Sequence, residues 1–154
     1  MSFWRKLLLR GRIFHYVSNY KGMGATPFTD PKMINLLIDL GVEYNVDPRF
    51  ILGIARSESS LATNTNINGG KYNILGNSLH FNGRTLYKNY EDALRDGFKL
   101  IRKGYLDKKL TSAASVYKVY EGAETGWEKN LSWIVETMVA MGGDPGKLEF
   151  PDPD

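Results

Sequence analysis

Glu58 is the residue of this chain best suited to giving up a proton at a reacting centre. It lies near the end of Asp47–Leu61, DPRFILGIARSESSL, in which Ile51, Ile54, Ala55, Glu58 and Leu61 fall at i, i+3, i+4, i+7 and i+10. That spacing stacks all five along one side of a helix. A carboxyl at the end of an apolar stripe loses hydration, which favours its neutral form. A neutral carboxyl near pH 7 is the general acid that glycoside cleavage requires, because a glycosidic oxygen leaves poorly unless it is protonated. Ser57 and Ser59 flank it and are short enough to orient it or a water. Asn73 can hold an acetamido group or a backbone turn. Tyr72, Tyr87 and Tyr120 can stack on sugars or hydrogen-bond to them, although a tyrosine taken alone is more often a core residue. The plainer reading of Glu58 is a last-turn carboxylate that reaches solvent.

Positioning these side chains falls to a mostly helical frame. Residues 3–20 read as an amphipathic helix with Phe3, Trp4, Leu7, Leu8, Phe14 and Val17 on one broad side and Arg5, Lys6, Arg10 and Arg12 among them. The expectation is a helix that packs on the domain and shows its charges to water, ahead of one that lies on a membrane. Thr29 or Asp30, followed by Pro31, opens a helix over 31–44, and Asp47-Pro48 opens the next over 48–61. Residues 64–88 lose helical periodicity. They are rich in Asn and Gly, and Asn82-Gly83 is a hairpin signal. Helices are expected again at 91–104, 111–120 and 127–141. Tyr120 ends its helix just before Gly122, which places its hydroxyl on a cleft wall near Glu58, with Tyr117 as the rival. The deepest groove is expected between the lobe and the Asp47 helix. The domain boundaries follow: 1–28 as an N-terminal helix and loop, 29–143 as the catalytic domain, and 144–154 as a peripheral tail.

Composition removes several classes of chemistry. The 154 residues contain no cysteine, so no thiol nucleophile, disulfide or cysteine metal site is available. The two histidines, His15 and His80, are far apart, and no metal or other cofactor is expected. A formal net charge of +3 suits an anionic partner without choosing among wall, membrane surface and nucleic acid. No helix-turn-helix or aromatic-basic pattern points to nucleic acid. No apolar run matches a secretory signal or a bilayer span, so neither a classical signal nor stable membrane insertion is expected.

Ala55-Arg56-Ser57-Glu58-Ser59, followed by Asn73-Ile74-Leu75-Gly76, resembles the lysozyme-like superfamily of peptidoglycan-cleaving enzymes. The likeness is to the glucosaminidase-type branch, the endo-β-N-acetylglucosaminidases, in a phage lysin or tail-associated form. Tyr87 before the acidic helix start Glu91-Asp92, and Tyr120 ahead of Trp127-Glu128-Lys129, are similar to later elements of that branch, with one extra residue before Trp127. The resemblance covers about residues 30–138. It implies an α+β, mostly helical fold with a small irregular or β-hairpin lobe. It implies Glu58 and Tyr120 as catalytic residues, and Ser59, Tyr72, Asn73, Tyr87 and Tyr117 as substrate-binding ones. The implied partner is bacterial peptidoglycan, met by a monomer at the cell wall. No acidic residue lies between Glu58 and Glu91. A second carboxylate would therefore come from Glu91, Asp92, Glu121 or Glu124. Otherwise the substrate's acetamido group or its 6-hydroxyl attacks, and attack by the 6-hydroxyl is the lytic transglycosylase outcome with a 1,6-anhydro product. An inactive wall-binding or tail-structural module is the reading from a different class.

Overall fold

The computed structural model describes residues 1–77, 87–122 and 125–151. Among these, six helices carry the fold: α1 (Phe3–Asn19), α2 (Pro31–Tyr44), α3 (Pro48–Ser59), α4 (Tyr90–Gly104), α5 (Ala113–Tyr120) and α6 (Trp127–Ala140). Short 3₁₀ turns at Pro27–Thr29 and Leu106–Lys108 join them. The caps explain most of the boundaries. Asp30 Oδ1 accepts from the Lys32 N–H at 2.9 Å, Asp47 Oδ1 from Arg49 at 2.9 Å, and Asn89 Oδ1 from Asp92 at 2.8 Å. Ser112 and Ser115 form a reciprocal capping box at the start of α5.

The expected α+β fold with a hairpin lobe is corrected to an all-helical one. Among the described residues the one extended pairing is an antiparallel bridge between Val46 and Glu149. The segment 60–77 is a succession of turns rather than strands. The hairpin expected at Asn82-Gly83 lies outside the described residues. The physical reason is visible in the described part of the lobe. Asn73 and the positive-φ glycines Gly69, Gly70 and Gly76 close local turns, so backbone groups are satisfied within the segment and no strand ladder is needed.

α3 is the centre of the molecule. Phe50 through Ala55 are all buried, so the helix is enclosed on every side until its last turn, where Arg56, Ser57 and Glu58 emerge. Its main partner is α6, and Gly53 makes that approach possible: a Cβ there would stand 2.8 Å from Ile134 Cγ2. Each fully buried Ile, Leu or Phe contributes about 1.5–3 kcal/mol, so this buried run anchors α3 firmly. α2 bridges α1 and α4, and α5 lies on α6. α1 buries Leu9, Ile13 and Val17 against the body.

The segment expected to be a peripheral tail is instead a strap. Leu148 is fully buried and Phe150 nearly so. The Leu148 carbonyl accepts from Asp47 N–H at 2.9 Å, and its own N–H donates to the Thr111 carbonyl at 2.9 Å. Glu149 pairs with Arg102, whose Nε also donates to the Tyr44 carbonyl at 2.7 Å. The strap thus fastens the α2–α3 corner, α4 and the start of α5 together.

Candidate active site

Glu58 is half-buried at the point where α3 stops. The stop is abrupt, because Ser60, Leu61 and Ala62 all take left-handed backbone, with φ of 50°, 56° and 63°. None is glycine, and each such residue costs about 1 kcal/mol or more. The surroundings hold the turn. Ser59 Oγ donates to the Ala55 carbonyl at 2.8 Å and accepts from Ala62 N–H at 2.9 Å. Tyr20 and Ser60 hydroxyls meet at 2.9 Å, and Thr26 donates to the Leu61 carbonyl at 2.7 Å. Ser59, expected to bind substrate, is buried and engaged on both sides of this turn, where it positions the helix end. Arg56, one turn from the end, reaches Glu136 at 3.0 Å and Thr137 at 3.1 Å and locks α3 to α6.

A tyrosine from α5 meets Glu58, and it is Tyr117. Its fully buried hydroxyl lies 3.3 Å from Glu58 Oε1, 2.6 Å from Glu121 Oε1 and 3.2 Å from Ser57 Oγ. Burial, then the hydrogen bond to Glu121, pushes this phenol well above its ordinary pKa, so it stays protonated. One proton cannot serve two acceptors at once. The shorter, stronger contact is the one to Glu121, with Glu58 the more distant acceptor. Glu121 and Glu58 are thereby joined through one atom, with the contacting carboxylate oxygens no more than about 6 Å apart. On its other side Glu58 is seated against Gly76, where a Cβ would come within 2.6 Å of Oε2.

Tyr120 does not occupy the place expected for it. Its hydroxyl donates to the Leu75 carbonyl, and its ring stacks on Tyr117 with centroids 6.0 Å apart. Burial, then the nearby Glu58 carboxyl, raises its pKa well above that of a free tyrosine. It therefore fixes the Leu75-Gly76 backbone that seats Glu58. The two residues exchange roles because the stripe Ala113, Val116, Tyr117, Tyr120 shows only that both face inward. The rotation of α5 about its axis decides which hydroxyl reaches Glu58.

The remaining expected binding residues mostly build the lobe. Asn73 is buried, donates to the Asn68 carbonyl at 3.0 Å and accepts from Asn77 N–H at 3.0 Å. Tyr87 donates to Asp96 Oδ2 at 2.6 Å and receives the Asn77 amide at 3.2 Å; burial and then Asp96 raise its pKa. That contact ties the lobe to α4. Tyr72 is half-buried, edge-on to Tyr90 at 4.9 Å, and keeps part of its ring available. Glu121 was one of four possible second carboxylates in the sequence. Its i, i+4 relation to Tyr117 is the signal that could have selected it. Glu124 lies outside the described residues.

Two cavities of the described residues do not include Glu58 in their walls, so neither is the groove expected beside it. One, of about 10 Å³, sits beneath the lobe among Ile54, Asn73, Leu75, Gly97 and Tyr120. The other, of about 180 Å³, lies between α1 and the strap. Among the described residues no group of three or more His, Asp or Glu could hold a metal ion. No protein-family model, curated protein or solved structure matches the chain.

Proposed function

We propose that this chain cleaves the β-1,4 glycosidic bonds of bacterial wall glycan strands, with Glu58 as the general acid. The observation that carries the reading is the Glu58–Tyr117–Glu121 constellation. Two carboxyl groups held around one Tyr117 hydroxyl disfavour joint ionisation, which favours a protonated Glu58. The C-terminal turn of α3 adds to this, because the helix dipole there disfavours a second negative charge. On meeting a glycosidic oxygen, Glu58 transfers its proton to the leaving group and is left as a carboxylate beside two hydroxyls, Ser57 and Tyr117. The choice of wall glycan as substrate rests on the sequence likeness of Ala55–Ser59 and Asn73–Gly76.

The Tyr117 hydroxyl already occupies the place between Glu58 and Glu121 that a water would need, so Glu121 is not set as the base of an inverting hydrolase. Its bond to a fully buried Tyr117 makes it a positioning residue for the acid. That favours a second reading in which the substrate supplies the nucleophile. Attack by the acetamido group ends in a reducing sugar, and attack by the 6-hydroxyl ends in a 1,6-anhydro sugar. Mass spectrometry of peptidoglycan digests separates these products by one water. Absence of any cleaved glycan with the folded protein would refute the enzymatic reading altogether.

A further inference from the structure

α1 presents two apolar faces, of which the body uses one. Leu9, Ile13 and Val17 face inward. Phe3, Trp4, Leu7, Leu8 and Phe14, with Gly11 among them, recur at helical spacing on the opposite side and are exposed, Trp4 at 74% and Phe3 at 69%. Five large apolar side chains on one exposed stripe form a surface that a soluble monomer rarely leaves bare. The edges of the stripe are cationic. At 100° per residue Arg5 and Arg12 fall along one edge, and Lys6 and Arg10 along the other. Five of the chain's 20 basic residues and none of its 17 acidic ones precede residue 30, so the remainder of the molecule is net negative. Lys6 is partly offset by Asp39 at 3.0 Å. Arg5 and Arg12 also line the cavity of about 180 Å³, together with Arg49.

We propose that the outer face of α1 docks on an anionic phospholipid bilayer surface. The ring stripe enters the interface, the two cationic edges meet headgroup phosphates, and the cavity lined by Arg5, Arg12 and Arg49 is of a size to take one of them. Such a helix lies in the plane of the interface and does not cross it, and no helix among the described residues is long and apolar enough to span. A second copy of the chain is the poorer occupant, because pairing two such faces brings two positive segments together. The proposal is independent of the glycan-cleaving reading.

The test is flotation of the full chain with vesicles of phosphatidylglycerol and phosphatidylcholine, against vesicles of phosphatidylcholine alone. The protein floats with the first and not with the second, and added salt releases it. Trp4→Ala and Leu8→Ala, both at exposed positions, each weaken binding about tenfold or more. Arg5→Gln and Arg12→Gln, also exposed, each weaken it about fivefold. Unchanged melting temperatures keep these losses distinct from unfolding. Equal binding to both vesicle types, or no binding to either, overturns the proposal. So does light scattering that shows a Leu8-dependent dimer in place of lipid binding.

Discussion

Glu58 and Gly76 touch so closely that no side chain fits between them: a Cβ on Gly76 would stand 2.6 Å from Glu58 Oε2. Gly76 also sits at φ +66°, a backbone conformation that L side chains seldom adopt. Gly76→Ala should therefore cut wall lysis at least about tenfold through displacement of the carboxyl, with about 1 kcal/mol or more of stability lost to the backbone. Gly70→Ala is the matched control. Its φ is +87°, but its Cβ would meet nothing within 4 Å. It should lower the melting temperature and spare the lysis rate. Equal activity losses in the two variants would mean that the contact with Glu58 is irrelevant.

Glu58→Gln keeps the size of the side chain and removes the transferable proton. Lysis of peptidoglycan suspensions should fall by about 10²-fold to 10⁴-fold or more. Thermal unfolding should change little, since Gln can still meet Tyr117. Wild-type lysis by this variant would rule out Glu58 as the acid.

Tyr117→Phe and Tyr120→Phe should separate chemistry from support. Tyr117→Phe cuts the link between Glu58 and Glu121 and leaves Glu121 short of a donor, at about 1–3 kcal/mol. Because the acid then loses its neighbour, the acidic limb of the pH–rate profile should move as well as the maximum rate. Tyr120→Phe strands the Leu75 carbonyl and should cost about 1 kcal/mol of stability, with a smaller loss of rate and an unmoved pH profile. If only Tyr120→Phe shifted the profile, the two tyrosines would have to exchange roles.

Alkaline stability follows from the same phenols. Burial raises the pKa of Tyr87, Tyr105, Tyr117 and Tyr120 above 10. The folded state therefore holds their protons after the unfolded chain would release them. Their contribution is complete below about pH 10 and declines as pH rises beyond it. Urea midpoints should be level from pH 7 to about 9.5 and fall steeply above about 10, with tyrosinate absorbance rising as the protein unfolds. Tyr87→Phe should flatten part of that decline.

Leu148→Ala should be severe for a residue so late in the sequence. Its side chain is fully buried and its backbone joins Asp47 to Thr111. A loss of about 2–5 kcal/mol is expected from chemical denaturation, against under about 0.5 kcal/mol for an exposed residue such as Lys147→Ala.

The helices were legible because their signals are written locally. Asp30-Pro31 and Asp47-Pro48 each supply a cap whose effect depends on residues two positions away, while the helices that Asn89 and Ser112 cap were legible from their apolar stripes alone and not from those caps. Glu58 was legible for a similar reason, as a carboxyl at the end of an apolar stripe. What escaped depends on rotation and long-range closure. The inward stripe of α5 holds both Tyr117 and Tyr120, and only packing on α6 chooses between them. The left-handed run Ser60–Ala62 has no glycine to announce it, because Tyr20, Thr26 and Ser59 stabilise it from elsewhere. The turns of 60–77 are rich in Asn and Gly and have no strand partners among the described residues. Leu148 and Phe150 sit in a short polar context rich in proline and glycine, which hides their burial.

The strap has a consequence for the order of assembly. Asp47 caps the helix that carries Glu58, yet its own N–H is satisfied by the Leu148 carbonyl, from a far later part of the chain. During synthesis α2 and α3 leave the ribosome long before the residues that close their corner. Contacts of such wide sequence separation must first close a long loop, so they form late. Glu58 is therefore set in its final frame only after residue 150 has emerged, so a nascent chain carries α3 while the corner at its start still lacks the closing strap.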